Sequence, residues 1–302
     1  MGSKFEEKLK GTPFVYHYTK MESLFAILEG YRQNKEKGFL PFRAGCIYNM
    51  NDPREMTMGF DVVKKFLPEY EKNAEYNMDL SVVYSDADNE NQCRKECIER
   101  PVDGTIEKGM VPYTMSFSTK EDFLPMWKMY GDDFKGVCLK FDLLELTKYL
   151  YDDCQFGFVS YDGEVDDSYL KEVFSSIYDW EAKHRESMDI NEKIEELSLL
   201  CACISPFVKS SDWAYEQELR IEINRFYDLE VDRESLRKHQ FNGLIRKRVE
   251  PYVYYPICPK ALQDIIIGPH ADFNTDEHII RNELKECLLN DVKIIPSSIE
   301  IR

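Results

Sequence analysis

Two hydrophobic periods run through the chain and divide it into elements. Residues 13–19 (P-F-V-Y-H-Y-T) and 112–119 (P-Y-T-M-S-F-S-T) are β-branched, aromatic or alternating, as in strands. Strand patterns follow at 136–142 (G-V-C-L-K-F-D), 218–223 (E-L-R-I-E-I), 264–269 (D-I-I-I-G-P) and 292–301 (V-K-I-I-P-S-S-I-E-I). Between them the period lengthens to that of a helix. Thr19 with Glu22 reads as a capping box, and Leu24, Ile27, Leu28 and Tyr31 form the apolar stripe of the helix it opens. Residues 54–100 read as helices joined by the acidic stretch S-D-A-D-N-E-N (85–91), and about 166–210 as a second helical insertion. Sheet-like segments at both ends favour one mixed α/β domain over residues 1–302, with these two insertions.

Composition supports a packed core. Of 302 residues, 43% are hydrophobic and 13% aromatic. The longest apolar stretch, Leu197 to Val208, is too short to span a bilayer, and the N-terminus has no apolar leader segment. No membrane association is therefore expected. Nine cysteines at irregular spacings, with no C-x-x-C, read as reduced thiols of a cytoplasmic protein. The net charge of −17 argues against a broad nucleic-acid surface, leaving only a small basic edge such as Arg246-Lys247-Arg248.

No G-x-G-x-x-G, P-loop, H-E-x-x-H or G-x-S-x-G motif occurs, and five histidines make a His-rich metal centre improbable, so no metal is assigned. Polar residues nevertheless recur at strand spacing. Val15, His17 and Thr19 share one face of the first strand, and Phe14, Tyr16 and Tyr18 the other. Ser116 and Ser118 share a face of the second. In W-A-Y-E-Q-E-L-R (213–220), Glu216, Glu218 and Arg220 would lie on one strand face. Each pattern also suits a half-buried strand with ordinary hydrogen bonds. Trp127 and Tyr130, three apart on a helical turn, could stack on a planar ligand or pin the helix to the sheet. In N-D-P-R-E (51–55), Asp52 and Pro53 read as a turn opening a helix, and Asn51, Asp52 or Glu55 could border a pocket.

These segments, with S-F-S (116–118), M-W-K-M-Y (126–130), I-I-I-G-P (265–269) and the ending I-I-P-S-S-I-E-I-R (294–302), occur in an order that resembles the bacterial family called domain of unknown function 2971. More distantly, His on a first strand, Ser on a middle strand and Glu-x-Glu on a late strand is similar to the ADP-ribosyltransferase superfamily. That resemblance implies an α+β fold with a mixed, largely antiparallel sheet, NAD as substrate, and a role as toxin or anti-phage defence effector. It implies that His17 anchors the NAD ribose, that Tyr18, Thr19, Ser116, Ser118, Trp127 and Tyr130 line the cofactor pocket, and that Glu218 and Glu216 are the catalytic pair. Tyr18 stands where many polymerase-type members of that superfamily have Gly. The partners implied are a nucleotide and a macromolecular acceptor. The alternatives are a non-catalytic nucleotide-sensing or protein-interaction module of the same fold, and a magnesium nuclease built on Asp52, Glu55, Glu216 and Glu218.

Overall fold

The computed structural model describes residues 4–52, 54–74, 77–98, 108–148, 154–162, 178, 187–228, 244–245, 248–249 and 252–301. Its strands are β1 (Phe14–Thr19), β2 (Leu40–Cys46), β3 (Lys108–Ser118), β4 (Val137–Asp142), β5 (Cys154–Phe158), β6 (Ser160–Tyr161), β7 (Val208–Lys209), β8 (Glu218–Asp228), β9 (Leu244–Ile245), β10 (Arg248–Val249), β11 (Tyr252–Ile257), β12 (Leu262–Ile267) and β13 (Lys293–Pro296). Nine of them form one sheet that is antiparallel except for the β12–β13 pair. Each of the six expected segments contains a strand, but the last, expected over 292–301, is a strand only at Lys293–Pro296, and residues 297–301 continue without regular structure. β2, β5 and β11 were not anticipated.

The sheet forks. β3 pairs with β8 along its length, and β8 with β5. Along its other edge β3 meets β2 only at Tyr113–Thr114 and β1 only at Ser118. One branch then continues from β1 to β4, β12 and β13, the other from β2 to β11. At the fork the Ser116 carbonyl takes a hydrogen bond from the His17 ring (Nδ1···O 3.0 Å), a side chain standing in for a strand neighbour.

Both faces are covered. Val15, Phe42, Met115, Phe117, Leu139, Phe141 and Leu219 build the main core beneath α2 (Met21–Gln33) and the helix Phe273–Glu286. On the opposite face, Tyr16, Tyr18 and Cys138 pack with Trp127 of α5 (Leu124–Tyr130). A helical layer of α3 (Glu55–Asn73), α4 (Ala87–Ile98) and the helix Ile190–Ile204 has its own apolar core around Phe60, Val63, Leu197 and Cys201. No helix among the described residues is long and apolar enough to cross a membrane. The nine cysteines are all free thiols, and seven are buried.

Local expectations shift in three places. Thr19 ends β1, opposite Val137, so α2 starts two residues later and its N-cap Lys20 makes no side-chain bond; the capping box does not form. Most of the acidic stretch 85–91 lies inside α4, because Asp86 accepts the backbone N–H groups of Asp88 and Asn89 and starts the helix there. Asp52 closes a turn onto the Arg54 N–H (3.0 Å) instead of capping α3. Residues 166–177 and 179–186 of the second insertion, and Pro53, Arg246 and Lys247, lie outside the described residues.

Contact between the helical layer and the following turn is close. A Cβ added at Gly59 would stand 2.1 Å from Ser205 Oγ and 2.6 Å from its Cα. We expect Gly59→Ala to lower unfolding free energy by about 1–3 kcal/mol in urea titration. A loss below about 0.5 kcal/mol would contradict this packing.

Candidate active site

Pairing fixes which side chains can meet. Residues directly opposite on adjacent strands point to the same face. Tyr16 stands opposite Ser118, which stands opposite Glu218, and Ser116 stands opposite Arg220. Tyr18, Ser116, Ser118, Glu218 and Arg220 therefore share one face. His17 stands opposite Leu139 and packs edge-on against Phe42 (5.6 Å), on the other face with Thr19. The expected His17–Glu218 constellation is thus split by the sheet.

The face away from His17 carries a buried ion cluster at the seam with the helical layer. Arg220 has no solvent exposure. Its Nη1 and Nη2 donate to the two oxygens of Glu55 (2.8 Å each), its Nε to Glu218 (3.0 Å), and Nη1 also to the Pro206 carbonyl (2.7 Å). Lys209 bonds Glu216 and Glu218 (3.2 Å), stands 3.8 Å from Glu55, and lies 4.9 Å from the Trp213 ring centroid. Three carboxylates thus face two cations, leaving one negative charge in excess.

Glu216 reaches this cluster from an unexpected element. It ends a 3-10 turn, Ser211–Glu216, and Gln217 (φ 43°) adopts the left-handed conformation before β8 begins at Glu218. The two acids are therefore not consecutive positions on one strand face. The Ser118 hydroxyl donates to the Glu216 carbonyl (2.7 Å), and the Glu218 N–H donates to the Tyr161 hydroxyl (3.0 Å), so the turn is held on both sides.

The two carboxyls titrate in opposite directions. Burial and the neighbouring Glu218 charge push Glu216 up, with Lys209 and Tyr130 opposing. Burial also pushes Glu218 up, but Arg220, Lys209 and the adjacent Ser116 outweigh it and hold Glu218 down at about 2. The Tyr130 hydroxyl donates to Glu216 and accepts from exposed Asn51 Nδ2 (3.1 Å). This chain, Asn51–Tyr130–Glu216, joins the buried acid to the surface. At the rim, Arg54 pairs with Asp212 (2.8 Å) and Asp52 (3.5 Å).

Several expected pocket residues have structural roles. Trp127 is fully buried, donates Nε1–H to Asp122 (2.8 Å) and packs edge-on against Tyr18 (5.1 Å), so it pins α5 and offers no stacking face. The Tyr18 hydroxyl donates to the Lys120 carbonyl (2.7 Å) and accepts the Phe123 N–H (2.9 Å). The acids named for a magnesium site are spoken for: Glu55, Glu216 and Glu218 by Lys209 and Arg220, Asp52 by Arg54 and backbone. Lys209 was missed. Its signal was present, a single cation directly after the apolar run that ends at Val208.

Breaking this cluster leaves charge buried. Arg220→Met is expected to cost about 3–5 kcal/mol in chemical denaturation, and an unchanged midpoint would contradict the ion-pair geometry. A second outcome concerns acid. The stabilisation from depressed Glu218 is complete above its ordinary value of 4.5 and is lost as pH falls towards about 2. Thermal unfolding followed down that range should show the loss, and Glu218→Gln should flatten the slope.

Comparison with known proteins adds one match. Residues 126–221 match the model of a family described as protein of unknown function, DUF2971. The matched segment contains Tyr130, Lys209, Trp213, Glu216, Glu218 and Arg220, and excludes His17, Asn51 and Glu55. No curated protein and no solved structure matches the chain. The family resemblance is thereby supported over the segment that supplies most of the ion cluster.

Proposed function

We propose that Glu216, Glu218, Lys209 and Tyr130 form the reaction centre of an NAD-consuming protein with an ADP-ribosyltransferase-like fold. It would transfer ADP-ribose to an acceptor or to water. The observation that carries this reading is the opposite titration of two carboxyls that share one lysine. Environments that drive neighbouring acids apart assign them different roles. The choice of NAD rests on the sequence resemblance.

Ionised Glu218 suits the stabilisation of an oxocarbenium-like ribose and the holding of its hydroxyls. Glu216, pushed up by burial and the Glu218 charge, suits a general base. The bond from ribose C1′ to the nicotinamide nitrogen breaks, and its electron pair leaves with neutral nicotinamide. The acceptor oxygen attacks C1′, and its proton passes to Glu216. His17, on the other face of the sheet, takes no part. A toxin or defence role follows from such chemistry only if an intracellular target is modified.

A specific observation favours a second reading, a non-catalytic module. Every charge in the cluster has a partner, so the five groups also suffice as a structural lock between sheet and helical layer.

One experiment separates the two. The full chain is incubated with NAD, with and without cell extract, and nicotinamide release is followed by mass spectrometry. The catalytic reading expects release that falls about 10²–10⁴-fold in Glu216→Gln, with the thermal transition retained. It also expects an acid limb in the pH–rate profile above 4.5, the ordinary glutamate value, because the base works deprotonated. His17→Ala should leave the chemical step unchanged. Absence of nicotinamide under all conditions, or full activity in Glu216→Gln, would leave the structural reading.

A further inference from the structure

The fork in the sheet opens a cavity of about 720 Å³. It is lined by His17 and Thr19 of β1, Phe42 and Arg43 of β2, Tyr254 of β11 and Glu22 of α2. Both strands that border it keep an open edge. β2 pairs with β3 only at Gly45 and Cys46, and β1 with β3 only at Tyr16, so among the described residues their other positions have no strand neighbour on that side. A cavity bounded by open strand edges offers backbone donors and acceptors as well as side chains.

Three features say what would fit. First, the His17 Nδ1–H is committed to the Ser116 carbonyl, so in the neutral ring Nε2 is an acceptor. Burial pushes the imidazole down, against the Ser116 bond, which keeps that ring neutral. Among the described residues nothing donates to Nε2. Second, Arg43 is exposed, and among the described residues no carboxylate stands within ion-pair distance of it. Its guanidinium is instead placed by aromatic rings, 4.5 Å from the Tyr252 centroid and 5.9 Å from that of Tyr254. The Tyr254 hydroxyl shares a hydrogen bond with this guanidinium, whose five N–H donors leave others for a planar oxyanion. Third, Glu22 supplies a negative charge on another wall. It disfavours ligands carrying several negative charges. Phe42, Tyr254 and the prolines of the lining supply apolar surface for a ring.

We propose that this cleft binds a small planar-ringed monoanion, with Arg43 holding its carboxylate or phosphodiester and His17 Nε2 accepting a hydrogen bond from its ring. The site is separate from the Glu216–Glu218 cluster and does not depend on that cluster being catalytic. The acid group has two chemical sources, a nucleotide phosphodiester and an aromatic carboxylate.

Isothermal titration of the full chain with 3′,5′-cyclic AMP and with indole-3-acetate tests the site. Binding of either probe, weakened at least about tenfold by Arg43→Ala, supports it. Which probe binds identifies the source of the anion. Glu22→Gln should strengthen binding by about twofold or more, a gain that a damaged fold would not give. Glu216→Gln should leave the affinity unchanged. The proposal is overturned if neither probe binds, if Arg43→Ala binds as well as the parent, or if ATP binds as tightly as the better monoanion.

Discussion

A guanidinium with no exposure to water dictates much of this architecture. Arg220 cannot shed its proton, so its burial requires carboxylate and carbonyl partners on several sides. They come from distant parts of the chain: Glu55 from the first turn of α3, Glu218 from its own strand, and the Pro206 carbonyl from the turn after the helix Ile190–Ile204. One side chain thereby joins the sheet to both long helices of the adjoining layer. Glu55 and Glu218 are in turn buried because Arg220 and Lys209 neutralise them. The seam is polar, yet each charged group in it has a partner.

That same arrangement sets the chemical asymmetry. Glu218 lies between two cations and stays ionised. Glu216 shares only Lys209, sits beside the Glu218 charge, and is driven upward. The left-handed Gln217 makes this possible, since it turns Glu216 out of the strand and towards Tyr130 and the surface. Meanwhile the two-residue period of β1 sends His17 to the opposite face. There it completes the hydrogen bonding of the forked sheet and borders a separate cavity. The molecule thus has two unlike polar environments: a buried ion cluster with one negative charge in excess, and an open cleft bordered by the exposed Arg43.

Much of the framework was legible along the chain. The strands around Val15, Met115, Leu139, Ile221 and Ile265 carry dense β-branched or alternating apolar residues and form where their patterns place them, whereas the one around Ile294 stops at Pro296. β2 was not legible: L-P-F-R-A-G-C mixes Pro, Gly and Arg, and it is a strand because β11 pairs with it throughout. At the site, Glu218, Glu216 and Tyr130 were singled out and do converge. Lys209 was overlooked because one lysine after an apolar run carries no local sign of its partners. Trp127 was read as possible stacking surface, but burial and its bond to Asp122 make it an anchor.

The sequence by itself determined the strand periods, the acidic balance, and the pairing of like charges near position 217. These are local properties, set by side-chain alternation and composition. Only the tertiary structure decided what those charges face. Strand alternation says that His17 and Thr19 point together, but the register between β1, β3 and β8 decides that Glu218 points the other way. Whether a carboxylate is solvated, locked or poised for proton transfer depends on cations brought from elsewhere in the chain. No local pattern encodes that distance, because the Coulomb and desolvation energies that settle it arise only when the sheet and the helical layer close over Arg220.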